Sequence, residues 1–545
     1  MRKLSDEKKN HFALIGKRSV AVFCCMMVGF VICCVNLFVL NVDDKTAVAG
    51  LKTSKTLVLG ESRGIIYDCN LNRLVSSDYN YVCSVKPDLS SAELLRNLLD
   101  ADSYINVVDN ISKGNPVKFV SPRFISHDDI VCAKIYKRYN ERQLATHLIG
   151  YVGYDNAGMS GVEKAYDELL QSYSGDYQVS YFADGSGKVM NGAEVKVNSH
   201  GYNSKGGVVL TVDKNAQLLL EEALDSSSVE KGAAVLIEIK SGAIRAIASR
   251  PNFNPDGVSA YLNDAKLPLF NRALAAYPVG SVFKPLIAAS AIEQGVDPQT
   301  VYQCKGFISK NNIRFNCTKS HGSVNMATAL MYSCNCYFIN LINQINCSDT
   351  IKLASSLFFG SELEICNGIY ANSGNLTAYD ELNSFAAKAN FSFGQGSLSA
   401  TILQVAGLYA AVANGGEFCL PYVVEGECDE NGRFKSTHAQ SAPHRAFSKE
   451  TADFLAACLE IAVREGTGIN AQVENFSVAG KTATAQTGEY VNGKERLVTW
   501  FAGFFPYENP QYVLVVMCED GQSGSVDCAP AFSKIASALL NKQNK

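Results

Sequence analysis

Between Val20 and Leu40 the chain runs VAVFCCMMVGFVICCVNLFVL, with Asn36 as its one strongly polar residue. About 20 apolar residues carry a helix across a bilayer, so this run is expected to span a membrane once. Before it, Arg2, Lys3, Lys8, Lys9, Lys17 and Arg18 outweigh Asp6 and Glu7, and Asp43 and Asp44 follow it. The positive-inside rule then places residues 1–18 in the cytoplasm, the anchor at 19–41, and the rest of the chain outside the cell. A cleaved signal peptide is the alternative, since Ala47-Val48-Ala49 imitates a cleavage site. The apolar run is longer than a signal core, however, and Asp43, Asp44 and Lys45 intervene, which favours a retained anchor.

The 545 residues exceed one ordinary domain, and a hydrophobic content of 47% with a net charge of −4 describes a folded protein with no bias toward nucleic acid. Residues 45–205 read as a β-rich unit with helical insertions, as in Gly64-Ile65-Ile66-Tyr67 and Tyr81-Val82-Cys83-Ser84-Val85. The Ser-, Gly- and Asn-rich stretch Tyr173–Gly206 marks its end. Residues 206–545 begin, over Leu210–Leu224, with a strand end followed by an amphipathic helix that has Asp213 near its N-cap position. Two strands joined at Lys240-Ser241-Gly242 follow, then a helical block, strands at Leu497–Phe504 and Tyr512–Cys518, and a terminal helix at Ala529–Leu540. That order predicts an α+β domain with an antiparallel sheet covered by helices. Of the 18 cysteines, Cys24, Cys25, Cys33 and Cys34 fall in the apolar run, and the other fourteen lack the spacing of a disulfide framework.

Three short motifs supply the parts of an acyl-transfer site. Ser281-Val282-Phe283-Lys284 places a hydroxyl and an amine one helical turn apart, on one face. A helix N-terminus favours negative charge developing at Ser281, and burial or neighbouring cations would let Lys284 act as a base. Ser333-Cys334-Asn335 offers a hydroxyl and an amide two residues apart, for relaying a proton and holding a substrate amide. Lys481-Thr482-Ala483-Thr484, flanked by small residues in a strand, lets a substrate backbone lie alongside. Each motif alone has an ordinary structural reading; their order and spacing carry the signal.

The ordered set resembles that of the penicillin-binding protein transpeptidases, whose signature is S-x-x-K, then S-D-N or S-x-N, then K-T-G. PVGSVFKPL, HGSVNMATALMYSCNCYF (His321–Phe338), FGQGSLSATILQVAGLYAAVANGG (Phe393–Gly416) and TWFAGFFP (Thr499–Pro506) resemble further segments of that family. RGIIYD (Arg63–Asp68) and the stretch from His147 to Leu170 resemble the N-terminal pedestal of its class B subgroup. One departure is Ala483, where the family normally carries glycine.

The resemblance implies a peptidoglycan D,D-transpeptidase inhibited by β-lactams. Ser281 would attack the carbonyl between two terminal D-alanines of a stem peptide, and Lys284 would take its proton. Ser333 would pass a proton to the leaving amine, and Asn335 would hold the substrate amide. Lys481 and Thr482 would bind the terminal carboxylate, with Lys481 lowering the pKa of Lys284. The N–H groups of Ser281 and Thr484 would form the oxyanion hole. No metal or organic cofactor is required for this chemistry. A polytopic membrane glycosyltransferase is the partner that the pedestal and anchor suit. A D,D-carboxypeptidase, a β-lactamase-like hydrolase and a non-catalytic scaffold are the rival readings. A lactamase would need a deacylating glutamate, and in Tyr379-Asp380-Glu381-Leu382-Asn383 the position that should carry it is Tyr379.

Cys304, Cys317, His321 and Cys334 cluster in sequence beside the second motif. Lys310-Asn311-Asn312 reads as a hairpin turn between the first two cysteines. Three thiols and an imidazole are the ligand set of a structural zinc site, which would fix Ser333–Asn335 without doing chemistry. A Cys304–Cys317 disulfide and unpaired thiols are the alternatives.

Overall fold

Strand segments that are apolar at successive positions are stable only where both faces of their sheet are covered. The computed structural model describes residues 16–36, 53–96, 99–184, 188–190, 194–310, 312–439 and 442–543, and it meets that requirement with a helix layer on each face of one sheet. The elements that matter for the site are α1 (Lys214–Asp225), β1 (Gly232–Glu238), β2 (Ile244–Arg250), α2 (Lys284–Glu293), α3 (Met326–Met331), α4 (Asn335–Ile342), α5 (Ile402–Ala413), α6 (Lys449–Arg464), β3 (Ala479–Val491), β4 (Lys494–Phe505), β5 (Tyr512–Glu519) and α7 (Ala529–Gln543).

The five strands form an antiparallel sheet in the order β2-β1-β5-β4-β3. Alternation along β5 divides its side chains between two cores. Val513, Val515 and Met517 join Trp500, Phe283, Leu286 and Tyr409 on the face covered by α2 and α5. Leu514, Val516 and Cys518 join Leu220, Phe501, Phe532 and Ile535 on the face covered by α1 and α7. The expected hairpin is β1–β2, with Gly242 in the left-handed region at φ 78°. The α+β architecture, an antiparallel sheet covered by helices, agrees with the sequence reading.

The chain divides into two compact units, but not along the expected 45–205 and 206–545 spans. The smaller unit takes the chain up to Glu61 with Asn80–Ile135 and Asp176–His200; the larger takes Ser62–Tyr79, Tyr136–Gly175 and Gly201 onward. In the smaller unit, strands Tyr79–Val85, Val117–Ser121 and Ile130–Tyr136 pack with helix Ala101–Ser112 around Cys83, Val85, Leu95, Val107 and Phe119. Long-range pairing explains the division. Ile65–Tyr67 runs parallel to Gly207–Leu210 in a second sheet of the larger unit, and Ile66, Leu148, Val162 and Leu170 belong to its core. The two pedestal-like motifs meet there. Glu163, fully buried, receives Arg63 Nε at 2.9 Å and Arg138 Nε at 2.7 Å.

The helix Gly16–Asn36 has 21 residues and a mean hydropathy of 2.3, long and apolar enough to cross a membrane. Most of the expected cytoplasmic tail, the last residues of the 19–41 span and Ala47-Val48-Ala49 lie outside the described residues.

Removing one partner of a buried ion cluster strands the remaining charges. Glu163→Ala is therefore expected to cost the larger unit about 3–5 kcal/mol in denaturant unfolding. A loss below about 1 kcal/mol would contradict the buried arrangement.

Candidate active site

The segment carrying Ser281 is held by its neighbours before it becomes a helix. Ala276–Pro278 pairs antiparallel with Ser399–Thr401, and the Trp500 indole N–H donates to the Pro278 carbonyl at 2.9 Å. Gly280 then turns at φ 59°, donating its N–H to Gly394 O at 2.8 Å. A 3₁₀ turn over Gly280–Phe283 leads directly into α2 at Lys284. Side chains three apart eclipse in a 3₁₀ turn, so Ser281 and Lys284 lie along one edge, as the S-x-x-K spacing requires. Phe283 is wedged edge-on between Phe359 and Phe391, and the Tyr409 hydroxyl donates to Val282 O at 3.2 Å. Ser281 is half-buried and Lys284 is completely buried.

The second motif occupies the link between α3 and α4. Its Ser333 adopts φ 56°, a left-handed backbone that a serine takes only when its surroundings impose it. The α3 C-terminus supplies part of that constraint, with Ser333 N–H on Leu330 O at 3.2 Å and Cys334 N–H on Ala329 O at 2.9 Å. Lys284 supplies the rest. Its Nζ donates to Ser333 O at 2.8 Å, Ser333 Oγ at 3.1 Å and Asn335 Oδ1 at 2.7 Å. Burial pushes the Lys284 pKa down to about 8, against the opposing pull of the nearby Cys334, Cys317 and Cys336 sulfurs.

The third motif lies on β3, the edge strand of the sheet, packed beside the nucleophile turn. Lys481 is fully buried, and its Nζ donates to Thr482 O at 3.1 Å and Thr467 Oγ1 at 3.4 Å. Burial, then the charge on Lys284, holds Lys481 well below the usual lysine pKa. Burial is the largest cause of the lowering at both lysines. The Thr482 hydroxyl donates to Thr467 Oγ1 at 2.8 Å, while Thr484 is exposed and accepts from the Gly524 N–H at 3.4 Å. Thr467 went unread in the sequence; its one local signal is the Gly466-Thr467-Gly468 interruption between α6 and β3.

The departure at Ala483 has a local explanation. Its side chain is 3% exposed, and a Cβ built on Gly280 would sit 3.4 Å from the Ala483 methyl and 3.2 Å from that of Ala485. The missing side chain at Gly280 thus makes room for the extra methyl of the strand.

Cys304, Cys317, His321 and Cys334 also come together, their ligand atoms all within 4.8 Å of one another. The expected hairpin is present, Phe307–Lys310 pairing with Ile313–Asn316, and all eighteen cysteines are free thiols, Cys304 and Cys317 included. A cavity of about 880 Å³, lined by Asp213, Glu238, Arg245 and Tyr512 among others, contains none of the motif residues.

Residues 232–537 match the penicillin-binding protein transpeptidase domain, and the chain belongs to that family. It is 30% identical over 422 residues to stage V sporulation protein D of Bacillus subtilis, covering 73% of this chain and 63% of that protein. The chain therefore spans less than two thirds of that relative's length. Among solved structures it resembles the D,D-transpeptidase domain of a peptidoglycan glycosyltransferase from Eggerthella lenta, with a TM-score of 0.63, 25% identity and coverage of 88% of this chain and 99% of that one. Penicillin-binding protein 3 of Mycobacterium tuberculosis complexed with aztreonam shares the fold, at a TM-score of 0.64 and 22% identity over 90% of this chain and 97% of that one.

A Cβ at Gly280 would add left-handed strain to crowding against Ala485. Gly280→Ala is expected to lower stability by about 1–2 kcal/mol in denaturant unfolding, and an unchanged midpoint would contradict the packing described.

Proposed function

We propose that this chain is a membrane-anchored peptidoglycan D,D-transpeptidase working through an acyl-serine intermediate. The observation that carries the reading is the completely buried Lys284, joined to both Ser333 and Asn335 and lying one turn from Ser281. A lysine whose pKa is brought near 8 is a competent base at neutral pH, because a useful fraction of it is unprotonated.

In this reading neutral Lys284 accepts the Ser281 proton as Oγ attacks the carbonyl of the penultimate D-alanine. The tetrahedral adduct forms against the backbone N–H groups of Ser281 and Thr484, an effect worth about 3–4 kcal/mol per donor. As the amide bond breaks, Ser333 Oγ passes a proton from Lys284 Nζ to the departing D-alanine nitrogen. Asn335 holds the amide of the stem peptide. Lys481 and Thr482 receive the terminal carboxylate, whose charge favours the cationic form of a buried lysine. The amine of a second stem peptide then attacks the ester and gives a proton to Lys284, which returns it to Ser281 Oγ as the ester C–O bond breaks. Family chemistry of this kind runs without a cofactor. β-Lactams enter by the first step and remain as the Ser281 ester.

The apolar helix Gly16–Asn36, with cationic residues before it, is read as a single retained anchor that places the chain after it outside the cell. The smaller unit and the anchor are the surfaces we assign to a polytopic membrane glycosyltransferase.

A fluorescent penicillin is expected to label the full-length protein covalently, and Ser281→Ala to abolish labelling without loss of stability. Labelling that persists in that variant would refute the assignment. Lys284→Ala should slow acylation by about 10²–10⁴-fold. The base is the neutral amine, so the acylation rate should fall about tenfold per pH unit below about 8 and level off above it. A rate independent of pH from about 6 to 9 would contradict the role given to Lys284. N-terminal sequencing of membrane-extracted protein should find the original N-terminus; a mature start at Gly50 would show cleavage instead.

A further inference from the structure

We propose that Cys304, Cys317, His321 and Cys334 bind one zinc ion, which holds the Ser333–Asn335 motif against Lys284. Zinc–sulfur bonds of about 2.3 Å and zinc–nitrogen bonds of about 2.0–2.1 Å, set at tetrahedral angles, separate two sulfurs by about 3.8 Å and a sulfur from a nitrogen by about 3.6 Å. Cys317 Sγ lies 3.8 Å from Cys334 Sγ, and His321 Nδ1 lies 3.5 Å from Cys317 Sγ and 3.6 Å from Cys304 Sγ. Three of the six edges thus already stand close to those of a zinc tetrahedron, and all the donors lie within 4.8 Å of one another. Soft thiolates with one imidazole select zinc over hard divalent cations, and four protein ligands close the coordination sphere, as in structural sites.

The ligands come from four separate positions along the chain. Cys304 ends the strand Tyr302–Cys304, which pairs with Gly322–Val324. Cys317 follows the Phe307–Asn316 hairpin and donates its backbone N–H to Gly306 O at 2.8 Å. His321 precedes the partner strand, its ring stacked on Tyr332 at 5.5 Å and 10° between planes, which fixes its orientation. Cys334 is the N-cap of α4 and makes no side-chain cap, leaving its sulfur to face the cluster. Cys304 and Cys334 are fully buried, whereas Cys317 and His321 are half-buried and give the ion a way in.

The placement of Cys334 gives the ion its effect. Its neighbours Ser333 and Asn335 are the two residues that accept from Lys284 Nζ, and Ser333 carries the strained left-handed backbone. A metal on Cys334 would clamp the middle of the motif whose two flanking residues bond Lys284. The four residues are positioning residues and touch no substrate.

Full-length protein purified under anaerobic conditions should contain one zinc per chain by elemental analysis, and Cys317→Ser should lose it. Should that variant fail to fold, cobalt(II) exchanged into the wild-type chain provides the second measurement. Intense tetrahedral d–d bands with a sulfur-to-cobalt charge-transfer band are expected. A chelator that strips the metal should slow acylation by a fluorescent penicillin about tenfold to a hundredfold, with zinc restoring it. Absence of zinc with freely titrating thiols, or a Cys304–Cys317 disulfide in the anaerobic protein, would overturn the site. Zinc present but without influence on acylation would overturn its positioning role. The metal count does not depend on the transpeptidase reading: a zinc-loaded protein that no penicillin labels would instead count against that reading.

Discussion

The site depends on one buried amine. Lys284 has no exposed surface and spends its three donors on the Ser333 carbonyl, the Ser333 hydroxyl and the Asn335 amide. A buried ammonium is unfavourable unless acceptors surround it, so these bonds pin the loop between α3 and α4 to the start of α2. The same burial brings the pKa to about 8, near enough to neutrality for the amine to be partly unprotonated there. The group that holds the site together is therefore also the group that can act in it.

Around that amine the fold acts by fixing backbone. Trp500 on β4, Tyr409 on α5 and Gly394 each bond a main-chain group between Pro278 and Val282, so the nucleophile turn is defined from three directions. β3 brings Lys481, Thr482 and Thr484 alongside as an edge strand, whose outer backbone groups are not consumed by the sheet. Gly280 makes the close approach feasible: it adopts φ 59° and leaves space that Ala483 and Ala485 fill.

Much of this was legible in the sequence, because the informative features were local. The S-x-x-K spacing, the Lys240–Gly242 turn, the apolar β5 segment and the terminal helix each depend on neighbours in the chain. The meeting of Cys304, Cys317, His321 and Cys334 was legible too, since a short hairpin and one helix are all that separates them. Thr467 was not. Its role exists only because α6 and β3 bring it beside Lys481 and Thr482. The left-handed Ser333 is held by α3 and by Lys284, about fifty residues away, and not by serine's own preference. The division into units was misread for a similar reason: Ile65–Tyr67 joins the larger unit through parallel pairing with Gly207–Leu210, which alternation within one segment cannot disclose. The complete burial of both lysines likewise depends on the packing around them, which the motif does not encode.

The central claim is that burial sets Lys284 apart from an ordinary lysine. NMR titration of the protein labelled with [6-¹³C]lysine, compared with Lys284→Arg, isolates its resonance. It should titrate with a midpoint near 8. A midpoint at or above about 10, the value of a solvated lysine, would contradict the account.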